Sequence, residues 1–185
     1  MPTPDRTSLD AIVAAARDLL ESEGLAGLTM QAVADRVGVR APSLYKRVQN
    51  RDQLIQLVGE ATLTDLAGRL DAASSAVELA TRFRQFGHER PAAFQLVMTP
   101  GAGIPVPGPE FAAAASAAIL SLTRALAGPD HALEAARTLT AWASGFVSME
   151  LNGGFNLGGD VDRAWEFGVS VILAAITVGS PTASP

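Results

Sequence analysis

LTMQAVADRVGVRAPSLYKRVQNRDQL, residues 28 to 54, is the stretch that decides the fold. Thr29 is a residue type that opens helices, because its hydroxyl accepts from a free N–H of the first turn. Behind it Met30, Val33, Ala34 and Val37 recur at three- and four-residue steps, the inner face of a short helix. Gly38 ends that helix, Val39 continues the apolar contact, and Pro42 marks the first turn of the next, where its missing donor is not needed. Leu44 and Val48 form the inner edge of this third helix. Asn50 or Arg51 then leads into a longer one with Leu54, Leu57, Val58, Ala61 and Leu66 on one side. Ala34 is small where two helices would cross, Gly38 permits the turn, and Leu44 locks the second helix from beneath. Their spacing, four residues and then six, is what a helix-turn-helix requires.

Charge is distributed to match. The formal net charge is −5, yet Arg36 to Arg51 holds five basic residues (Arg36, Arg40, Lys46, Arg47, Arg51) and no acidic one. Around this window the rest of the chain is strongly acidic. Such asymmetry is the footprint of a local phosphate-binding surface, or else a solvated helix face.

Upstream, residues 1 to 6 read as a loose arm, and Thr7 or Ser8 caps a helix with Leu9, Ile12, Val13, Ala16, Leu19 and Leu20 inside and Gly24 as its stop. Downstream, helices are expected from Val77 to about Gly87, from Pro91 through Met98, from Phe111 to Leu126, from an Asp130 cap to Leu151, and from an Asp160 cap onward. The proline- and glycine-rich run Thr99 to Pro109, the break Asn152 to Gly159 and the tail Gly179 to Pro185 are irregular. No strand alternation or repeat is present, so the fold class is all-α.

The segment Leu28 to Leu54 resembles the DNA-binding module of the TetR family. Thr29, Val33-Ala34, Gly38-Val39, Leu44-Tyr45 and the basic Arg51 shortly before Leu54 carry the likeness, and the Leu9–Glu23 helix sits at the family's distance upstream. Val48 and Arg47 depart from it, standing where the family often has phenylalanine and histidine. The stretch TWASGF, with Trp142, Gly145 and Phe146, resembles a C-terminal subgroup of the same family, of a Trp-His-Gly type, but Ser144 stands where that subgroup often has histidine.

The resemblance implies an N-terminal three-helix helix-turn-helix domain, residues 1–52, and a helical ligand-binding and dimerisation domain, residues 53–185. It also implies a transcriptional repressor acting on double-stranded operator DNA. Pro42, Ser43, Tyr45 and Lys46 would lie on or near the side of the third helix that enters the major groove, with Arg40 reaching a base edge or phosphate. Thr29 and Arg51, at helix starts, would hold phosphate. Tyr45 has the alternative of being a core aromatic.

Two features of the later helices leave alternatives open. The last helix has one apolar stripe at Trp165, Val169, Ile172 and Ile176 and a second at Phe167, Val171, Ala174 and Val178, and the helix before it is over-supplied at Leu139, Ala143, Phe146 and Val147. These imply a homodimer interface or a larger internal core. Phe83, Phe86, Phe94, Met98, Phe111, Trp142, Phe146 and Met149 line a pocket for a small hydrophobic effector or simply fill a core. His88, Arg137, Glu150 and Asn152 are the polar groups available to orient such a ligand.

Several function classes drop out. There is no cysteine, and the chain has only two histidines, so neither thiolate chemistry nor an all-protein metal site is expected. No nucleophile elbow or phosphate-binding glycine loop occurs, and neither an enzyme nor a cofactor is expected. A helical interaction module that no longer reads DNA is the rival reading, with no evident use for the basic window. The N-terminus lacks the order of a signal peptide, and no uninterrupted apolar stretch is expected to reach spanning length, so a cytoplasmic protein without a membrane partner is expected.

Overall fold

A computed structural model describes residues 8–178. The arm, Thr7 and the tail lie outside them. Among the described residues all regular structure is helical: α1 (Leu9–Gly27), α2 (Met30–Val37), α3 (Ala41–Leu44), α4 (Arg51–Asp71), α5 (Ala76–Glu89), α6 (Pro91–Met98), α7 (Pro109–Ala127), α8 (Ala132–Leu151) and α9 (Val161–Val178). The chain forms two compact units, residues 1–65 with 90–112 and residues 66–89 with 113–185. This differs from a division at residue 52. α4 is one continuous helix, and α6 packs on α1, so both extend the first unit beyond the helix-turn-helix.

Most starts and stops follow local chemistry. Ser8 caps α1 by accepting from Ala11 N–H, and Gly24, at φ 69°, breaks its last part. Asn50 opens α4 by accepting from Gln53 N–H at 2.8 Å, while the Gln53 side chain accepts from Gln49 N–H at 2.6 Å. Asp160 Oδ1 caps α9 through the N–H groups of Asp162 and Arg163. Asp130 does not cap α8 as expected; the helix begins later, after His131, which supplies no side-chain cap.

In the first unit α1 packs on α2 and α6, and α2 on α3. Ile12, Leu28, Val33, Leu44, Val48, Leu54 and Val58 are wholly buried, joined by Ala93 and Leu96 of α6. The Glu21 carboxylate of α1 accepts from the first N–H groups of α6, Ala92 at 3.1 Å and Ala93 at 3.0 Å. A carboxylate there satisfies donors that have no partner within the helix and complements the helix dipole.

In the second unit α5, α8 and α9 pack on one another. Gly168 of α9 is required where it stands: a Cβ there would lie 2.1 Å from Cζ2 of Trp142. Its absence lets the indole lie against the α9 backbone. One expectation is corrected by α7. Among the described residues it is a helix long and apolar enough, by length and composition, to cross a membrane. It reaches that hydropathy largely through alanine, with Glu110 in its first turn and Arg124 in its last.

Candidate functional site

The helix-turn-helix is held by backbone geometry at one residue. Gly38 takes φ 76° and ψ 36°, the left-handed region where a side chain is strained, and its N–H donates to Asp35 O while Val39 N–H donates to Ala34 O. The chain thereby reverses within three residues into α3. Leu44 is wholly buried, and Val48 N–H donates to Leu44 O at 2.9 Å, extending the α3 turn to a second anchor.

This anchoring turns the rest of the segment outward. Pro42 and Lys46 are exposed, Ser43 is half-buried and Tyr45 is 53% exposed, which excludes Tyr45 from the core. Arg40, exposed, stands at the start of α3, where its carbonyl accepts from Ser43 N–H at 2.8 Å. Thr29 caps α2 through Ala32 N–H at 3.1 Å and is exposed. Six of the seven residues expected at DNA thus reach the surface at least in part, five of them between Arg40 and Lys46 and Thr29 at the start of α2.

Arg51 is different. Its Nε donates to Leu28 O at 2.7 Å and one terminal nitrogen to Leu25 O at 2.5 Å. The guanidinium is spent on closing α4 against the end of α1, where two carbonyls would otherwise lack donors.

The aromatic and methionine residues expected to form one pocket divide between the units. Phe94, Met98 and Phe111 belong to the first. Phe94 is wholly buried, whereas Phe111 lines a groove of about 640 Å³ with Leu9, Val13 and Arg17 of α1 and Leu57 of α4. Phe83, Phe86, Trp142, Phe146 and Met149 belong to the second. Phe83 and Phe86 are buried, and the Arg69 guanidinium lies over the Phe86 ring at 5.3 Å. Met149 is 46% exposed.

Trp142 and Phe146 come together, their ring centres 5.5 Å apart. Trp165 stacks on Trp142 at 4.9 Å and meets Phe146 at 5.2 Å, and Phe155 meets Phe146 at 4.6 Å. Phe155 was not foreseen, and Trp165 was read only as part of a stripe.

Beside this cluster lies an ion network that joins two of the expected polar residues, His88 and Glu150, to two that sequence reading missed, Arg84 and Asp162. Arg84 Nε reaches both Glu150 oxygens, at 3.1 and 3.0 Å, a terminal nitrogen also donates to Glu150, and the same nitrogen donates to Asp162 at 2.6 Å. His88 Nε2 stands 3.2 Å from Glu150 Oε2. Burial pushes the Glu150 carboxyl up, but hydrogen bonds from Arg84 and then His88 outweigh it and hold the group below the ordinary carboxylate range. The same Glu150 bonds raise the Arg84 guanidinium, against the opposing effect of burial. The signal was available: Leu139, Ala143, Val147 and Glu150 share one face of α8, and a carboxylate on a buried stripe needs a cation. Of the other polar candidates, Arg137 is exposed and Asn152 donates to Ser148 O at the end of α8.

Comparison with known proteins places this arrangement. Residues 12–58 match the family described as bacterial regulatory proteins, tetR family, and residues 76–172 match the tetracyclin repressor-like C-terminal domain. The class E tetracycline repressor protein of Escherichia coli is 41% identical over 58 residues, covering 31% of this chain and only 28% of that protein. The crystal structure of regulatory protein SCO4313 superposes with a TM-score of 0.80 at 24% identity, over 94% of this chain and all of that one. A TetR variant from Acinetobacter baumannii in complex with minocycline gives 0.69 at 23% identity, over 95% of this chain and 99% of that one. With family matches over both the helix-turn-helix and the greater part of the second unit, the chain belongs to the TetR family of bacterial regulatory proteins.

Proposed function

We propose that this protein is a dimeric, cytoplasmic transcriptional repressor that reads operator DNA through α3 and lets go when a small hydrophobic ligand binds. The observation that carries the reading is the split at Leu44 and Tyr45. Leu44 is wholly buried, while the neighbouring Tyr45, Lys46, Pro42 and Arg40 are exposed on a turn rich in positive charge. A helix anchored this way offers one face to the major groove. Lys46 and Arg40 supply phosphate contacts, and Thr29 sits at a helix start suited to phosphate. Arg51 supports the module from behind rather than touching DNA.

Dimerisation is supported by α9. Trp165 and Val169 are buried, whereas Phe167 is 70% and Val171 47% exposed one stripe away. Leu139, Ala143 and Val147 of α8 are buried within this chain and so are not the partner-facing residues. Among the exposed positions of α8, Ala141 and Gly145 are small enough for close approach of a second helix. Val171→Asp is expected to yield monomers in sedimentation at micromolar concentration; a dimer would remove this face from the interface.

Ligand response is supported by the soft rings that gather in the second unit, where Trp142 and Phe146 of the expected set meet Trp165 and Phe155. The remaining members divide between the units, Phe94, Met98 and Phe111 in the first and Phe83, Phe86 and Met149 in the second. α4 provides the route, a single 21-residue helix that begins beside the DNA-reading turn. A ligand that favours a different α4 tilt changes the spacing of two recognition helices, which must match about 34 Å of DNA. Coupling of about 1–3 kcal/mol corresponds to a roughly 5- to 150-fold loss of operator affinity. The test is footprinting on DNA flanking the protein's own gene, with and without hydrophobic ligands that raise its melting temperature. Protection of an inverted repeat that such a ligand abolishes is expected. Absence of any protected site overturns the DNA reading, and ligand-insensitive protection overturns the switch.

A further inference from the structure

A cleft of about 670 Å³ runs between α5 and α9, within the second unit. Thr81, Arg84 and His88 stand on one wall, and Asp162, Trp165, Glu166 and Val169 on the other. Its volume falls in the range of sites that hold drug-sized molecules. It is not the proposed partner face. At 100° per residue, Asp162, Glu166 and Val169 point to one side of α9, and Phe167 and Val171 to the other.

The floor and the charges of this cleft differ in kind. Trp165 and Val169, each 4% exposed, form an apolar base, and Val77 adds an apolar lip. Arg84 is already engaged by Glu150 and Asp162, and its guanidinium lies 5.4 Å over the Trp165 ring. An incoming anion would have to displace one of those carboxylates. Glu166, by contrast, is exposed and makes no ion pair among the described residues. The cleft is thus lined by one guanidinium, already paired, and two carboxylates, Asp162 and Glu166, of which Glu166 is left without a cation among the described residues. Electrostatic complementarity therefore favours a positive ligand and rejects a negative one.

We infer that the α5–α9 cleft is a binding site for a small organic cation with an apolar body, its ammonium held by Glu166 and Asp162 and its body laid on Trp165 and Val169. None of the aromatic set lines this cleft, although its floor residue Trp165 stacks on Trp142, and occupancy of the cleft does not depend on operator binding.

Calorimetric titration of the full chain with 4-phenylbutylamine, 4-phenylbutanol and 4-phenylbutyrate tests the inference at neutral pH. The three share a body and differ in charge. The amine is expected to bind saturably and at least about tenfold more tightly than the alcohol, a difference of roughly 1.4 kcal/mol. The carboxylate is expected not to bind. Glu166→Gln should remove most of the amine's advantage, and because Glu166 is exposed the fold should survive. Thr81→Trp, which fills the cleft, should abolish binding while circular dichroism stays unchanged. Equal affinity for all three compounds, no binding of the amine, or amine binding unaltered in Glu166→Gln each overturns the proposal.

Discussion

The two units are packed from different materials. In the first, the wholly buried side chains are mostly branched aliphatics, such as Ile12, Leu44, Val48, Leu54 and Val58, with Phe94 a ring among them. In the second, the buried face of α8 is mostly alanine, at Ala132, Ala135, Ala136 and Ala143. Its bulk comes instead from the rings of Trp142, Phe146, Phe155 and Trp165 and from the Arg84–Glu150 pair. Interlocked aliphatics have few alternative packings, which suits a surface that must match DNA. Large rings laid on alanine ridges leave clefts and can shift, which suits a region that accommodates ligands. The difference can be followed spectroscopically, because both tryptophans of the chain lie in the second unit and its one tyrosine, Tyr45, in the first.

Leu44→Ala should strike the comparison hardest. Emptying a wholly buried leucine costs about 2–5 kcal/mol, because the cavity left behind relaxes only in part. Operator binding should be lost, and the urea midpoint followed by far-UV circular dichroism should fall. Phe146→Ala should cost less, since Phe146 is only half-buried. Tryptophan emission should report the Phe146 change directly and the Leu44 change weakly. If emission and circular dichroism shift together in Leu44→Ala, the units unfold as one and the contrast in packing has no thermodynamic counterpart.

The same contrast explains what could be read from the sequence. Thr29, Gly38, Leu44 and Asn50 act on neighbours within about a turn, so their roles are visible in a short window. α6 was read correctly from Pro91 to Met98 for that reason, yet its membership of the first unit was not, because Glu21 lies 71 residues before Ala92. Arg84 and Glu150 are 66 residues apart, and only the helix packing pairs them. The aromatic set divides between the two units for the same reason. Periodicity shows which residues point inward, not which interior they enter.

Arg51→Ala should have the next largest effect. Its half-buried guanidinium satisfies the carbonyls of Leu25 and Leu28, and hydrogen bonds to a charged group contribute about 1.5–3 kcal/mol, less where water competes. Arg51→Lys should rescue little, because an ammonium cannot present the same fork. The urea midpoint should drop in both variants. At a temperature where they remain folded, the salt dependence of operator binding should match the parent protein. A flatter slope would return Arg51 to the DNA contacts.

Acid should act first on the second unit. The Ser74 side chain and backbone, with help from Arg82, hold Glu78 down to about 2. Glu150 is also held below the ordinary range, chiefly by Arg84 against the opposing effect of burial. A carboxylate depressed in the folded state contributes its full stability above the unfolded value near 4.5 and loses it as pH falls towards the folded value. Tryptophan emission should therefore change as the pH falls below about 4.5, because the Arg84–Glu150 pair lies against Trp165. Glu150→Gln should flatten that acid limb while lowering stability at neutral pH. An unaltered limb would show that the Arg84 pair does not set the acid response.

Lys46→Ala should leave stability untouched and alter only the interaction with DNA, the smallest and most selective of these effects. Lys46 is exposed on the turn after Leu44, while the side chains beneath it remain as they were. If its ammonium neutralises one phosphate, the bound counterion it displaces contributes about 0.9 to the slope of log affinity against log salt. Removal should flatten the slope by about one unit and weaken specific and unrelated DNA alike, because a phosphate contact carries no sequence information. Arg40→Ala separates the two roles open to that side chain: a base contact would relax preference at one position, and a phosphate contact would reproduce the Lys46 result. Fluorescence anisotropy on operator and scrambled duplexes over a range of salt concentrations measures both. A Lys46→Ala protein with an unchanged slope on both duplexes would place the DNA-facing side of α3 elsewhere, and the contrast between a DNA-matched unit and an adaptable one would lose its functional half.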